Sequence, residues 1–226
     1  MSFYPLPSVR MPKSTAAAAE CNINASLSDY LAQLPKHASQ YEKLGDLCEY
    51  KEKAAYFKLI ELFSVLALPK EPFKLLCLGT QRTPVGPFAE VVDAAPRTVD
   101  LLISDADFAQ TLAAACKVQA VGGMLVVEVG RLSTPAHVRL AYVMAALYKS
   151  VSVYTPSLYC GEEKYLIGRD FKGGEMPASE FAMSLYFLTR LEEINSVIGQ
   201  AQMDHIRSET KYDQSSADWC TTYLKN

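Results

Sequence analysis

The stretch DLLISDADF (Asp100–Phe108), a helix-like spacer, GGMLVVEVG (Gly122–Gly130), a second helix-like run and VSVYTPSLYCGEEKYLIGRDF (Val151–Phe171) decide how the chain folds. Three short β-branched and aliphatic runs, Asp100 to Ser104, Met124 to Val129 and Tyr165 to Gly168, are separated by segments of helical length and composition. Such alternation is the pattern of βαβ units. The first run ends in Asp105 and Asp107, the second in Glu128, and Glu162 and Glu163 lead into the third, so carboxylates gather at the strand ends. In open α/β sheets that carboxyl edge is where ligands bind. Acidic residues also punctuate strand ends as ordinary turn residues, and both readings stay open at this point.

Working outward, the segment before this stretch supplies one more strand. FKLLCLG (Phe73–Gly79) is a compact strand candidate, and Gly79 opens a loop, TQRTPVGPFAEVV, with Gly86 between two prolines and a helix expected to start at Pro87 or Phe88. Strand, glycine-containing loop and helix let a nucleotide-like ligand approach backbone amides at a helix N-terminus. Here the prolines remove N–H donors, which makes a poor phosphate cradle.

Upstream, YEKLGDLCEYKEKAAYFKLIELFSVLAL (Tyr41–Leu68) reads as a long helix. Ala55, Leu59, Leu62, Phe63 and Leu66 follow the 3.6 period, while Lys51, Glu52, Lys53, Lys58 and Glu61 spread over the remaining arc. Pro69 and Pro72 end it. Ser26 followed by LSDYLAQL reads as a capped short helix, and residues 1–25, with Pro5, Pro7 and Pro12 and the Ala16 to Ala19 run, read as a flexible or extended arm.

Downstream, FAQTLAAACKVQAV is helical up to Gly122-Gly123, and Thr134-Pro135 forms an N-cap and N1 pair for AHVRLAYVMAALYKS. ASEFAMSLYFLTRLEEINSVIGQAQ is the last amphipathic helix, with Phe181, Leu185, Leu188, Leu191 and Ile198 on its apolar face. Residues 26–202 are therefore expected to form one α/β domain, and 203–226 a polar tail with Trp219 and Tyr223.

Composition narrows the classes. The chain has 226 residues, 50% hydrophobic, which suffices for one domain of ordinary size plus appendages. With 22 basic and 25 acidic residues the net charge is -3, so any nucleic-acid contact has to come from a local patch; Lys51, Lys53, Lys58, Arg82 and Arg131 are the candidates. The six cysteines form no CxxC pair, and several lie in apolar runs, as Cys77 and Cys116 do. They read as buried free thiols in a cytoplasmic or other reducing compartment, with no metal site expected. No apolar stretch reaches membrane-spanning length, and Met1 to Lys13 lacks a signal-peptide core, although the acid-poor N-terminus, with Arg10 and Lys13, would also suit a mitochondrial transit peptide.

The order AAYFKLIEL, LCLG with a later VGPFAE, DLLISD, GGMLVVEV and EEKYLIG resembles the FtsJ/RrmJ-like ribose 2'-O-methyltransferases, a family that includes viral cap-methylating enzymes. The likeness covers roughly residues 50–172. It implies a Rossmann-like, S-adenosylmethionine-dependent methyltransferase fold in three αβα layers, RNA as substrate, and a Lys-Asp-Lys-Glu tetrad. Position by position, the first lysine falls on Lys58, the aspartate on Asp105 and the final glutamate on Glu163; the second lysine falls on Glu128. Cofactor contacts would fall to Gly79, Gly86, Phe88 and Asp105.

Two departures follow from the same resemblance. In the family the second lysine activates the ribose hydroxyl; a carboxylate at Glu128 opposes Asp105 and Glu163 and cannot stabilise a developing alkoxide. The first strand carries Cys77 where the family has an acid. Only eleven residues separate Phe88 from Asp100, which leaves room for one short helix but not for the outer strands that hold adenosine. The expected sheet therefore has about five strands. Together the departures favour a catalytically degenerate member that binds RNA or a protein partner, with no cofactor; the alternative is an active S-adenosylmethionine-dependent RNA (cap or rRNA) 2'-O-methyltransferase. A third class, a structural subunit of a larger assembly, draws on the N-terminal arm, the apolar last helix and the aromatic tail. Oligomeric state is not legible in the sequence.

Overall fold

The computed structural model describes residues 2–12, 61–66, 73–79, 89–91, 96–156, 164–177 and 181–207. In chain order these form β1 (Ser2–Leu6), a helical segment α1 (61–66), β2 (Phe73–Leu78), β3 (Ala89–Val91), β4 (Val99–Ser104), α2 (Phe108–Val118), β5 (Gln119–Val129), α3 (Pro135–Leu147), β6 (Tyr148–Thr155), β7 (Lys164–Phe171) and α4 (Leu185–Arg207). The strands make one sheet in the order β1-β6-β7-β5-β4-β2-β3. β3, β2, β4 and β5 run parallel to one another. β7 is antiparallel to both β5 and β6, so β5 and β6 run in the same direction on either side of it.

The five strands read from the sequence are β2, β4, β5, β6 and β7, and two short strands extend the sheet at its edges. β1 forms within the segment read as an arm, pairing antiparallel with β6 from Ser2↔Thr155 to Leu6↔Val151. An edge strand tolerates Pro5, whose missing N–H costs nothing where no outer partner exists. β3 replaces the helix expected at Pro87 or Phe88: three residues pair with Phe73 to Leu75. Proline at a helix start is a weak local signal, and the open edge of β2 offers backbone partners that override it.

Element ends also move. α2 stops at Val118 and β5 begins directly at Gln119, before the glycine pair. The last helix starts at Leu185 instead of near Ala178, with the Ser184 hydroxyl accepting the Phe187 N–H at 3.2 Å, and it runs on to Arg207, into the segment read as tail. The Thr134 cap falls where the sequence put it, accepting from the His137 N–H at 3.3 Å, and Asp107, read only as a carboxylate at a strand end, caps α2 by accepting from the Gln110 N–H at 2.9 Å.

The pleat of the sheet sorts side chains into two cores. Leu102, Leu125, Val127 and Leu166 face α2, α3 and α4, where Phe108, Leu112, Tyr142, Phe187 and Leu191 are buried. Leu101, Ile103, Val126, Tyr165 and Ile167 face the other way, against Leu62, Phe63 and Leu66 of α1. The three-layer, Rossmann-like α/β architecture expected from the sequence is thus present. Cys77 and Cys116 are free thiols, partly rather than fully buried, and no described helix is long and apolar enough to cross a membrane.

Two buried phenols tie the stability of this core to alkaline pH. Burial, then the nearby Cys116, raises Tyr148 well above the ordinary 10.0, although its hydroxyl donates to Gln119; burial and the Glu61 carboxylate also raise Tyr154. Both stay protonated in the fold at a pH where the unfolded chain ionises them. Their contribution is complete below pH 10 and shrinks as pH rises, by up to about 1.4 kcal/mol per pH unit for each tyrosine. Urea unfolding at pH 9, 10 and 11 should show the loss beginning near 10. Tyr148→Phe should reduce its slope.

Candidate functional site

The carboxyl ends of β2, β4 and β5, the end of β6 and the beginning of antiparallel β7 lie along one edge of the sheet. Between β2 and β4 the strand order reverses, since β3 lies on one side of β2 and β4 on the other. Such a reversal is the topological switch point, at whose carboxyl edge open α/β sheets form the crevice that binds their ligands. Gly79 and Asp105 meet there. Gly79 follows β2 with φ +104, a conformation open to glycine and strained for other residues. A Cβ placed on it would lie 1.5 Å from Oδ1 of Asp105 and 2.8 Å from its Cγ, so the Asp105 carboxylate rests on the bare face of the glycine. The Asp105 N–H donates to the Leu78 carbonyl at 3.2 Å, which extends the β2–β4 ladder by one residue.

Glu128 stands one residue before the end of β5. Ser104 pairs with Val127, so Asp105 and Glu128 follow at adjacent strand ends. Tyr165, the cross-strand partner of Glu128, donates its hydroxyl to Glu128 Oε2 at 3.1 Å. Next in the sheet, Tyr154 pairs with Tyr165, with ring centroids 6.4 Å apart, and donates its own hydroxyl to Glu61 Oε1 at 2.6 Å. Glu61, read from the sequence as part of the polar arc of its helix, is fully buried. The phenol supplies the hydrogen bond that makes this burial tolerable, and Phe3 of β1 packs on the same ring at 4.9 Å.

Of the residues singled out in the sequence, Gly79, Asp105 and Glu128 come together at this edge. Lys58, Gly86, Phe88 and Glu163 lie outside the described residues, as do Glu162, Lys51, Lys53 and Arg82. Asp107 is the N-cap of α2, an ordinary structural role. Arg131 is partly buried, and its carbonyl accepts the His137 Nδ1–H at 2.8 Å. Tyr165, Tyr154 and Glu61 were not read as site residues. The signal for the first was present, since Tyr165 completes the E-x-Y run that marks Glu163. No group of three or more histidines, cysteines or carboxylates suited to a metal ion occurs among the described residues.

A sheet whose parallel strands switch direction of winding at a glycine-ended strand, flanked by helices on both faces, decides the fold type. The fold is a Rossmann-like α/β fold. Among solved structures, the chain is similar to the selenomethionine-substituted CurJ carbon methyltransferase, with 12% identity and a TM-score of 0.36 over 54% of this chain and 57% of that one. The chain thus spans a little over half the length of that methyltransferase. No protein-family model matches the sequence, and no curated protein matches it.

The resemblance read in the sequence implies S-adenosylmethionine, and the geometry at Gly79 tests whether the described residues suit it. A glycine at this position serves a ligand by leaving its Cα face open to close approach. Here that face is covered by the side chain of Asp105, and among the described residues the sheet beyond β2 consists of the three residues of β3. In this arrangement the described residues do not fit the methyl donor.

Proposed function

We propose that this chain is a methyltransferase-fold protein that has lost methyl transfer and works by binding a partner, RNA or protein. The observation that supports this most directly is Glu128 hydrogen-bonded to Tyr165 at the strand end beside Asp105. In the FtsJ-like scheme this position needs an amine, which takes part in activating a ribose hydroxyl and stabilises the alkoxide that develops. A carboxylate accepts a proton but supplies no positive charge, and beside a second carboxylate it works against the developing anion.

The test is methyl transfer from labelled S-adenosylmethionine to RNA with unmethylated ribose. The expected result is no incorporation above background by the wild-type chain. Incorporation that disappears in Asp105→Ala would overturn the proposal and establish the second reading, an active S-adenosylmethionine-dependent RNA 2'-O-methyltransferase. That reading has in its favour Asp105 following the carboxyl end of β4, at the switch point of the sheet. For the binding role, neutralising Lys51, Lys53, Lys58, Arg82 and Arg131 together separates the partners: loss of RNA retention at low salt supports RNA, and unchanged retention leaves protein.

A further inference from the structure

We propose that Asp105 is a built-in plug of the crevice between β2 and β4, filling with its own side chain the glycine face that an S-adenosyl ligand has to cover. The inference rests on the reading above that this edge is the chain's ligand site. Three observations carry it. The carboxylate occupies the place itself: Oδ1 lies 1.5 Å and Cγ 2.8 Å from the Cβ position of Gly79, so no ligand atom can share that volume. The backbone beneath it is held from both sides. Asp105 donates its N–H to Leu78 of β2 at 3.2 Å, and the next N–H, from Ala106, goes to the Ser104 hydroxyl at 3.1 Å. That hydroxyl is bonded in turn to Thr111 of α2 at 2.6 Å, in the buried interior.

Asp107 then caps α2 two residues on, fixing the far side of the turn. The stem of Asp105 is therefore set by the sheet and by α2, and the side chain reaches the glycine from a fixed base. Because Gly79 has φ +104, the chain cannot escape the contact by giving position 79 a side chain of its own without strain. Opening the crevice requires the Asp105 side chain to swing away or to be shortened.

The experiment is calorimetric titration of S-adenosylhomocysteine into the full chain and into Asp105→Ala, Asp105→Ser and Asp105→Asn, with thermal melts to verify that each is folded. Alanine and serine remove the filling volume, whereas asparagine keeps the volume and loses only the charge. A plug predicts that the alanine and serine variants bind at least about tenfold more tightly than wild type, with asparagine unchanged. No gain in either small variant overturns the proposal, and so does an equal gain in Asp105→Asn, which would assign the effect to charge. The outcome is independent of the function assigned above: methyl transfer by the wild-type chain removes the non-catalytic reading, and only this titration removes the plug.

Discussion

Replacing Gly168 by valine should cost the fold about 3 kcal/mol, an unusually large loss for a change at a single strand residue. Gly168 sits in the middle of β7, paired with Leu125 on one side and Val151 on the other, so its backbone cannot move without breaking two ladders. A Cβ there would come within 2.7 and 2.8 Å of ring carbons Cγ and Cδ1 of Tyr148 and 2.9 Å of Met144 Cε. Methionine can bend away. The Tyr148 ring cannot do so easily: it is fully buried, its hydroxyl is bonded to Gln119, and it packs against Phe171 at a centroid distance of 5.2 Å. For a domain of this size the loss corresponds to a fall of roughly 6–12 °C in Tm. Gly130→Ala is the control, because nothing lies within 4 Å of a Cβ there, and it should stay within about 0.5 kcal/mol of wild type. Equal losses at the two glycines would show that the effect is backbone entropy and not the tyrosine ring.

What was legible in the sequence followed from patterns that an element carries within itself. The runs that became β2, β4, β5, β6 and β7 are rich in branched residues and separated by helical spacers, and Thr134 and Pro135 announce their helix by chemistry acting over three residues. β1 and β3 carry no such pattern. They exist because β6 and β2 had open edges, and edge pairing is a property of the partner. Glu61 was misjudged for the same reason: its helix marks it as polar, and the hydroxyl that allows its burial belongs to Tyr154, which only the folded sheet brings near. At the site, the sequence located Asp105 and Glu128 at strand ends because strand ends are local. That the Asp105 side chain lies over Gly79 depends on β2 and β4 being neighbours, a fact of sheet order and not of spacing.

Tyr154→Phe should destabilise the chain by about 1.5–3 kcal/mol, the range for losing a hydrogen bond to a charged group in a buried place. The ring contributes little to that loss, since phenylalanine keeps the packing with Phe3 and Tyr165. What disappears is the 2.6 Å donor to Glu61, a carboxylate with no exposed surface. Glu61 keeps a further interaction, which holds the loss below that of an isolated buried charge. The pair is best examined as a double-mutant cycle. Glu61→Leu alone leaves a buried phenol without its acceptor and should cost about 1–3 kcal/mol, whereas Glu61→Leu with Tyr154→Phe removes both polar groups and lets α1 pack on the sheet as one apolar surface. The double variant should therefore be more stable than the sum of the single losses allows, by about 1.5 kcal/mol or more. Strictly additive losses in urea unfolding would mean that α1 is held by Leu62, Phe63 and Leu66 alone, and that the Glu61–Tyr154 bond contributes nothing to fixing the helix against the sheet.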